Sequence, residues 1–187
     1  MPPKQRITRE MILERSFVMF SKEGMAAVNA RSVAKALNCS TQPIFSYFSG
    51  MDDLKNALEQ KAKETFDAML DHIDEDGDPV VRVCEAYVRF AAEEPCLFAH
   101  LFMRHADEAV HPLASKEQKD VLVKKECAYS GLTEAQAARM YTEVSIFAHG
   151  FAALFATGLA DIEMDRVRQM LYDARNAIVM RIREEIK

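Results

Sequence analysis

Little in this sequence points to a metal, a membrane or a β-sheet. It has only four cysteines, Cys39, Cys84, Cys96 and Cys127. None form a C-x-x-C pair and their spacing matches no zinc pattern, which leaves thiols buried in a reducing compartment. The longest apolar run, Ile146 to Ala160, spans 15 residues and contains His149. About 18 are needed to cross a bilayer, so no membrane partner is expected. The opening MPPKQRITRE lacks any apolar stretch and so reads as no secretory signal, which places the chain in the cytoplasm. Strand-like alternation is absent, as are repeats and low-complexity segments. Basic charge is not in excess either. The formal net charge is -5, so bulk composition gives no reason to expect nucleic acid.

The distribution of charge gives one. Residues 1–50 carry a net +4, through Lys4, Arg6, Arg9, Arg15, Lys22, Arg31 and Lys35 against three acids, while the rest carries -9. A basic front on an acidic body suits a chain whose one end meets phosphate. Apolar residues make up 49% and charged residues 28%, an ordinary globular balance.

Apolar residues recur at three and four, so nearly everything reads as helix. The expected helices cover about 8–22, 30–37, 41–48, 52–72, 79–93, 95–104, 115–129, 133–158 and 161 to the end. Thr8, Asn29, Ser40, Asp78 and Asp161 are the expected caps, since short oxygen-bearing side chains satisfy the free N–H groups of a first turn. Asn38 is expected in the turn between the second and third helices, where positive φ is needed. The fold class is therefore all-α. A three-helix module at residues 1–50 precedes a larger helical domain at 51–187, and the long fourth helix joins the two.

The stretch Asn29–Phe48, NARSVAKALNCSTQPIFSYF, reads as a short helix, a tight turn and a second short helix. Ile44 and Phe48, at i and i+4, bury one face of the second helix and leave Thr41, Gln42, Pro43 and Ser46 pointing out. That is the layout of a DNA-binding helix-turn-helix. Its second helix enters the major groove, where Gln pairs bidentately with adenine and Pro touches a thymine methyl. Arg31, Thr41, Tyr47 and the arm residues Lys4 and Arg6 are candidates for phosphate contacts. Asn29 and Ser40, at the helix starts, complete the candidate DNA-binding set. One short helix reads few bases, so a homodimer on a near-palindromic double-stranded operator is expected. Val144, Phe151, Phe155, Leu171 and Ile178, on the last two helices, are the candidate interface.

These residues resemble a known family. Ile12 to Phe20 (I-L-x-x-x-x-x-x-F), Gly24, Arg31 to Ala34 (R-x-V-A), Ser40, Ile44 to Phe48 (I-F-x-Y-F) and Leu54 are similar to the DNA-binding domain of the tetracycline-repressor (TetR/AcrR) family. The likeness covers Thr8–Leu54, about a quarter of the chain. Asn29 stands where the family often has threonine, and Asn38 where it has glycine. Phe45 replaces a usual tyrosine and Met51 a frequent lysine, so two phosphate contacts are missing. Phe147-Ala148-His149-Gly150 resembles the His-Gly segment of one C-terminal subclass that commonly has tryptophan nearby; this chain has none.

The resemblance implies a ligand-responsive, sequence-specific DNA-binding transcriptional regulator, a repressor released by a small-molecule effector. The effector pocket would lie in the body, lined from Phe66, Met69, Tyr87, Phe90, Phe98, Phe102, Met103, Tyr141 and Phe147. No cofactor and no enzyme activity are expected. Cys96 and His100 share a helical face, but no orienting acid or oxyanion site accompanies them. The alternatives are a metal- or thiol-responsive sensor on the same scaffold, using Cys96, His100 and His105 or Cys127, and a DNA-free small-molecule-binding protein. The stretch from Asp74 to Glu85 mimics a calcium loop, but Pro79 occupies the turn position that demands glycine.

Overall fold

The computed structural model describes residues 7–71, 77–104 and 116–185. Lys4, Arg6, His105 and most of the acidic stretch 74–78 lie outside the described residues. Among the described residues the chain is all helical, as expected: α1 (Arg9–Glu23), a 3₁₀ turn (Met25–Ala27), α2 (Ala30–Ala36), α3 (Gln42–Tyr47), α4 (Met51–Asp71), α5 (Pro79–Glu93), α6 (Pro95–Phe102), α7 (Lys116–Ser130), α8 (Glu134–Ala156) and α9 (Met164–Glu184). Two compact units result, Met1–Phe66 and Asp67–Lys187. The first extends past the expected boundary at residue 50, because Leu54, Leu58 and Ala62 of α4 are fully buried and Lys61 pairs with Glu14 of α1.

In the first unit, Thr8 caps α1 by accepting the Met11 N–H at 3.2 Å. Gly24 ends it at φ 81, a conformation that favours glycine, with its N–H donating to the Phe20 carbonyl at 2.9 Å. Ile12 and Phe20 from α1, Val33 and Ala34 from α2, Ile44 and Phe48 from the α3 region and Leu54 and Leu58 from α4 form the core. Each large side chain so buried contributes about 1.5–3 kcal/mol. That burial, rather than intrinsic propensity, holds a helix as short as α3.

The second unit is built on α5. Val80, Val81, Cys84, Tyr87, Val88, Phe90 and Ala91 are all fully buried, so the helix is apolar nearly all round. Asp78 caps it, accepting the Val80 and Val81 N–H groups at 3.0 Å each. Glu85, also buried, receives Arg168 of α9 in a fork at 2.6 and 2.7 Å and Arg89 at 2.8 Å. Burial alone would raise its carboxyl; the two guanidiniums overcome that and hold it below the ordinary carboxylate range. Ion pairs of Arg139 with Glu185 (2.5 Å) and of Glu143 with Arg181 tie the start of α8 to the end of α9, so the two run antiparallel.

A second buried knot joins α5, α7 and α9. The Arg175 guanidinium lies 2.6 Å from Asp78 through Nε and also pairs with Glu126 through Nη2. Asp78 and Glu126 are almost wholly excluded from solvent. Among the described residues, Oε2 of Glu126 has no hydrogen-bond partner. Burial and the Asp78 charge raise the Glu126 carboxyl above its ordinary value, against the pull of Arg175.

One expected cap in this unit is not used. Helix α9 begins at Met164 rather than at Asp161, with Glu163 in the cap position and no side-chain cap bond. Gly158 at φ 70 turns the chain after α8, and residues 159–163 run on without helix before α9 starts.

Candidate nucleic-acid interface

Helix α2 is only seven residues long, and its start is secured twice. The Asn29 side chain accepts the Ser32 N–H at 3.0 Å, and the Ser32 hydroxyl oxygen accepts the Asn29 N–H at 3.1 Å. This reciprocal box satisfies two N–H groups at once. It also commits the Asn29 carbonyl oxygen to the helix, while the residue stays exposed. The turn then forms at Asn38, the one non-glycine with positive φ (50°) among the described residues. Asparagine tolerates that region where branched or bulky side chains do not. The Cys39 N–H closes the turn on the Ala34 carbonyl at 3.0 Å.

Helix α3 starts differently from expectation. Ser40 does not cap it. Thr41 holds the cap position at φ -72, ψ -15, and no side chain accepts a first-turn N–H. A side-chain cap needs extended backbone, and Thr41 is already helical. Pro43 in the first turn has no N–H to satisfy, which lowers the need for a cap.

Ile44 and Phe48 bury the inner face of α3, at 0% and 2% exposure. Gln42, Phe45 and Ser46 fall at i, i+3 and i+4 on the opposite face, and all three are exposed. Thr41 and Pro43 are half-buried beside them, and Ser40 is exposed. The Ser46 hydroxyl donates to the Gln42 carbonyl at 2.9 Å, so its hydrogen is spent within the helix. The exposed Gln42 amide offers both a donor and an acceptor on this face. Tyr47 is exposed, but its hydroxyl donates to the Ile7 carbonyl at 3.3 Å and fastens the chain just before α1. That tether is a role the sequence did not indicate. Arg31 projects from α2 into solvent. Arg9, missed in the sequence, lies with its guanidinium carbon 4.9 Å from the centre of the Phe48 ring.

The comparisons with known proteins agree with this geometry. No protein-family model matches the chain. The chain is 24% identical over 179 residues to the HTH-type transcriptional regulator YobS of Bacillus subtilis, a match spanning 94% of this chain and 93% of that protein. The crystal structure of a TetR-like transcriptional regulator from Rhodococcus sp. RHA1 superposes with a TM-score of 0.62 at 18% identity, covering 91% of this chain and 96% of that one.

The chain has the fold of the TetR-like transcriptional regulators.

Within the second unit of this TetR-like fold, the residues expected to line a pocket fall into distinct settings. Tyr87, Phe90, Phe98 and Phe102 form one buried aromatic cluster, with the Tyr87 ring 5.1 Å from both Phe98 and Phe102. The Tyr87 hydroxyl and His149 Nδ1 are hydrogen-bonded at 2.8 Å. Tyr141 is 1% exposed, with its hydroxyl buried. Burial, with Cys84 nearby, pushes that hydroxyl up to about 12. The Cys84 thiol is likewise pushed up by burial, which makes it unreactive. Met69 is half-buried and Phe66 buried on α4. Met103 and Phe147 are exposed, at 43% and 39%, and the Phe147 ring lies 5.1 Å from that of Phe151.

The expected interface residues divide in a similar way. Val144, Leu171 and Phe151 are buried within their own unit, because they sit on the inward faces of α8 and α9. Phe155 and Ile178 are half-buried. The apolar side chains that do face out are Ile146, Phe147 and Leu154 on α8 and Met180 on α9.

No described helix is long and apolar enough to cross a membrane. No group of three or more metal-ligating side chains occurs among the described residues.

Proposed function

We propose that this chain is a TetR-type transcriptional regulator. It binds a near-palindromic DNA operator as a homodimer and acts as a repressor released by a small molecule. The observation that carries the reading is the outward face of α3. A helix held by Ile44 and Phe48 presents Gln42, Phe45 and Ser46 to solvent, behind a turn built on Asn38. A protruding helix of this kind fits the major groove, where the Gln42 amide matches the N6 and N7 edge of adenine. Arg31 and the arm residues Lys4 and Arg6 supply charge for phosphates.

A single six-residue helix spans few base pairs. Two copies with α3 helices about 34–36 Å apart would read successive major grooves. Ile146, Phe147, Leu154 and Met180 support an interface of α8 and α9 with their counterparts. Solvent-facing apolar residues on adjacent helices form a self-complementary patch about a two-fold axis. The effector reading is supported by the aromatic cluster around Tyr87, with His149 and the buried Tyr141 hydroxyl as polar groups for orientation. Helix α4 is the covalent link between the two units. A ligand that drives release from 1:99 to 99:1 must prefer the released state by about 5.5 kcal/mol.

The test is selection of bound duplexes from a random pool by the full chain. The expected result is an enriched near-palindrome with half-sites about one helical turn apart. A pool that stays random after repeated rounds defeats the proposal.

A further inference from the structure

The recognition face carries one side chain that DNA-binding logic alone does not call for. Phe45 is 52% exposed, although a phenylalanine ring gains about 1.5–3 kcal/mol on burial. The inner face of α3 is already filled by Ile44 and Phe48, so packing gives Phe45 no role within the unit. It lies at i+3 from Gln42 on the same exposed face. Its polar neighbour Ser46 has its hydrogen committed to the Gln42 carbonyl at 2.9 Å. The face therefore offers one amide and one bare ring, set in the basic front of the chain.

We infer that Phe45 is a specificity-determining residue that reads the 5-methyl group of thymine, next to the base pair met by Gln42. This rests on the DNA-binding reading above. The methyl is the one apolar group on the major-groove edge of the bases, and it marks thymine alone. A ring without a hydroxyl cannot hold a phosphate oxygen, but it can cover a methyl and exclude water from it. An amide that selects adenine and a ring that selects thymine, three residues apart on one helix, specify adjacent A·T pairs.

The experiment uses the full chain and the duplex enriched from the random pool. Each thymine in a half-site is replaced singly by deoxyuridine, which removes the methyl and nothing else. Wild-type protein is expected to lose about fourfold in affinity at one position per half-site, the worth of one buried carbon. Phe45→Ala is expected to bind the thymine and uracil duplexes equally, and Phe45→Leu to keep part of the preference. Because Phe45 is exposed, thermal unfolding of F45A should match wild type, which separates readout from folding. Wild-type affinity indifferent to every thymine-to-uracil change overturns the inference while the DNA-binding reading stands. The same follows if F45A keeps the full methyl preference. Failure to enrich any duplex overturns both.

Discussion

Replacing Arg175 with methionine strands two carboxylates in the second unit. Asp78 and Glu126 are almost fully buried, and Arg175 is the cation paired with both. Removing one partner of a buried ion pair costs about 3–5 kcal/mol, because the charge left behind keeps its desolvation penalty. Asp78 retains the Val80 and Val81 N–H groups at 3.0 Å, so most of the penalty falls on Glu126, whose second oxygen has no partner among the described residues even in the native protein.

The pH dependence follows from the direction of the Glu126 shift. Burial and the Asp78 charge already raise this carboxyl, and losing Arg175 raises it further. A carboxyl raised on folding contributes stability that is fully present below its unfolded value and is lost as pH rises through the folded value. The gap between wild type and Arg175→Met should therefore be widest at pH 8 and narrow towards pH 5. Urea unfolding followed by circular dichroism at both pH values measures it. Adding Glu126→Gln to the methionine variant should recover part of the loss at pH 8 and little at pH 5. A gap under about 1 kcal/mol, or one unchanged between the two pH values, refutes the reasoning.

Asn38 holds φ 50, so Asn38→Gly should leave stability within about 0.5 kcal/mol and Asn38→Val should cost about 1–2 kcal/mol, read as shifts in melting temperature. Arg31→Ala and an arm variant with Lys4 or Arg6 replaced should each reduce the salt dependence of operator affinity by about one counterion, whereas an unchanged slope removes that residue from the phosphate contacts. Ile146→Arg with Leu154→Arg should give a folded monomer by sedimentation, since both side chains already face solvent in one copy; a dimer that persists places the interface elsewhere.

The readable part of the sequence was the part governed by local rules. Apolar periodicity located the helices, and the Thr8, Asn29 and Asp78 caps, the Asn38 turn and the split faces of α3 all follow from neighbours within four residues. The misplaced Ser40 and Asp161 caps show the limit of such rules. Several residues at each site carry a suitable oxygen, and the backbone angles choose among them. Burial in the second unit depends on which face of α8 and α9 meets α5. Val144, Leu171 and Phe151 therefore read as surface candidates, whereas Ile146 and Leu154 are the side chains that face out. Contacts between distant positions left no trace in the pattern: Tyr47 to Ile7, Tyr87 to His149, and Arg175 to Asp78 and Glu126.

The central claim is that the outward face of α3 reads bases. Its most direct test is to titrate wild type and Gln42→Ala against the selected duplex and against a scrambled duplex of the same composition. Loss of a bidentate base contact worth about 1–3 kcal/mol should weaken the variant on the selected duplex by about fivefold or more. Affinity for the scrambled duplex, which rests on phosphates, should not change. If both proteins keep the same ratio between the two duplexes, α3 does not read the operator and the account is wrong.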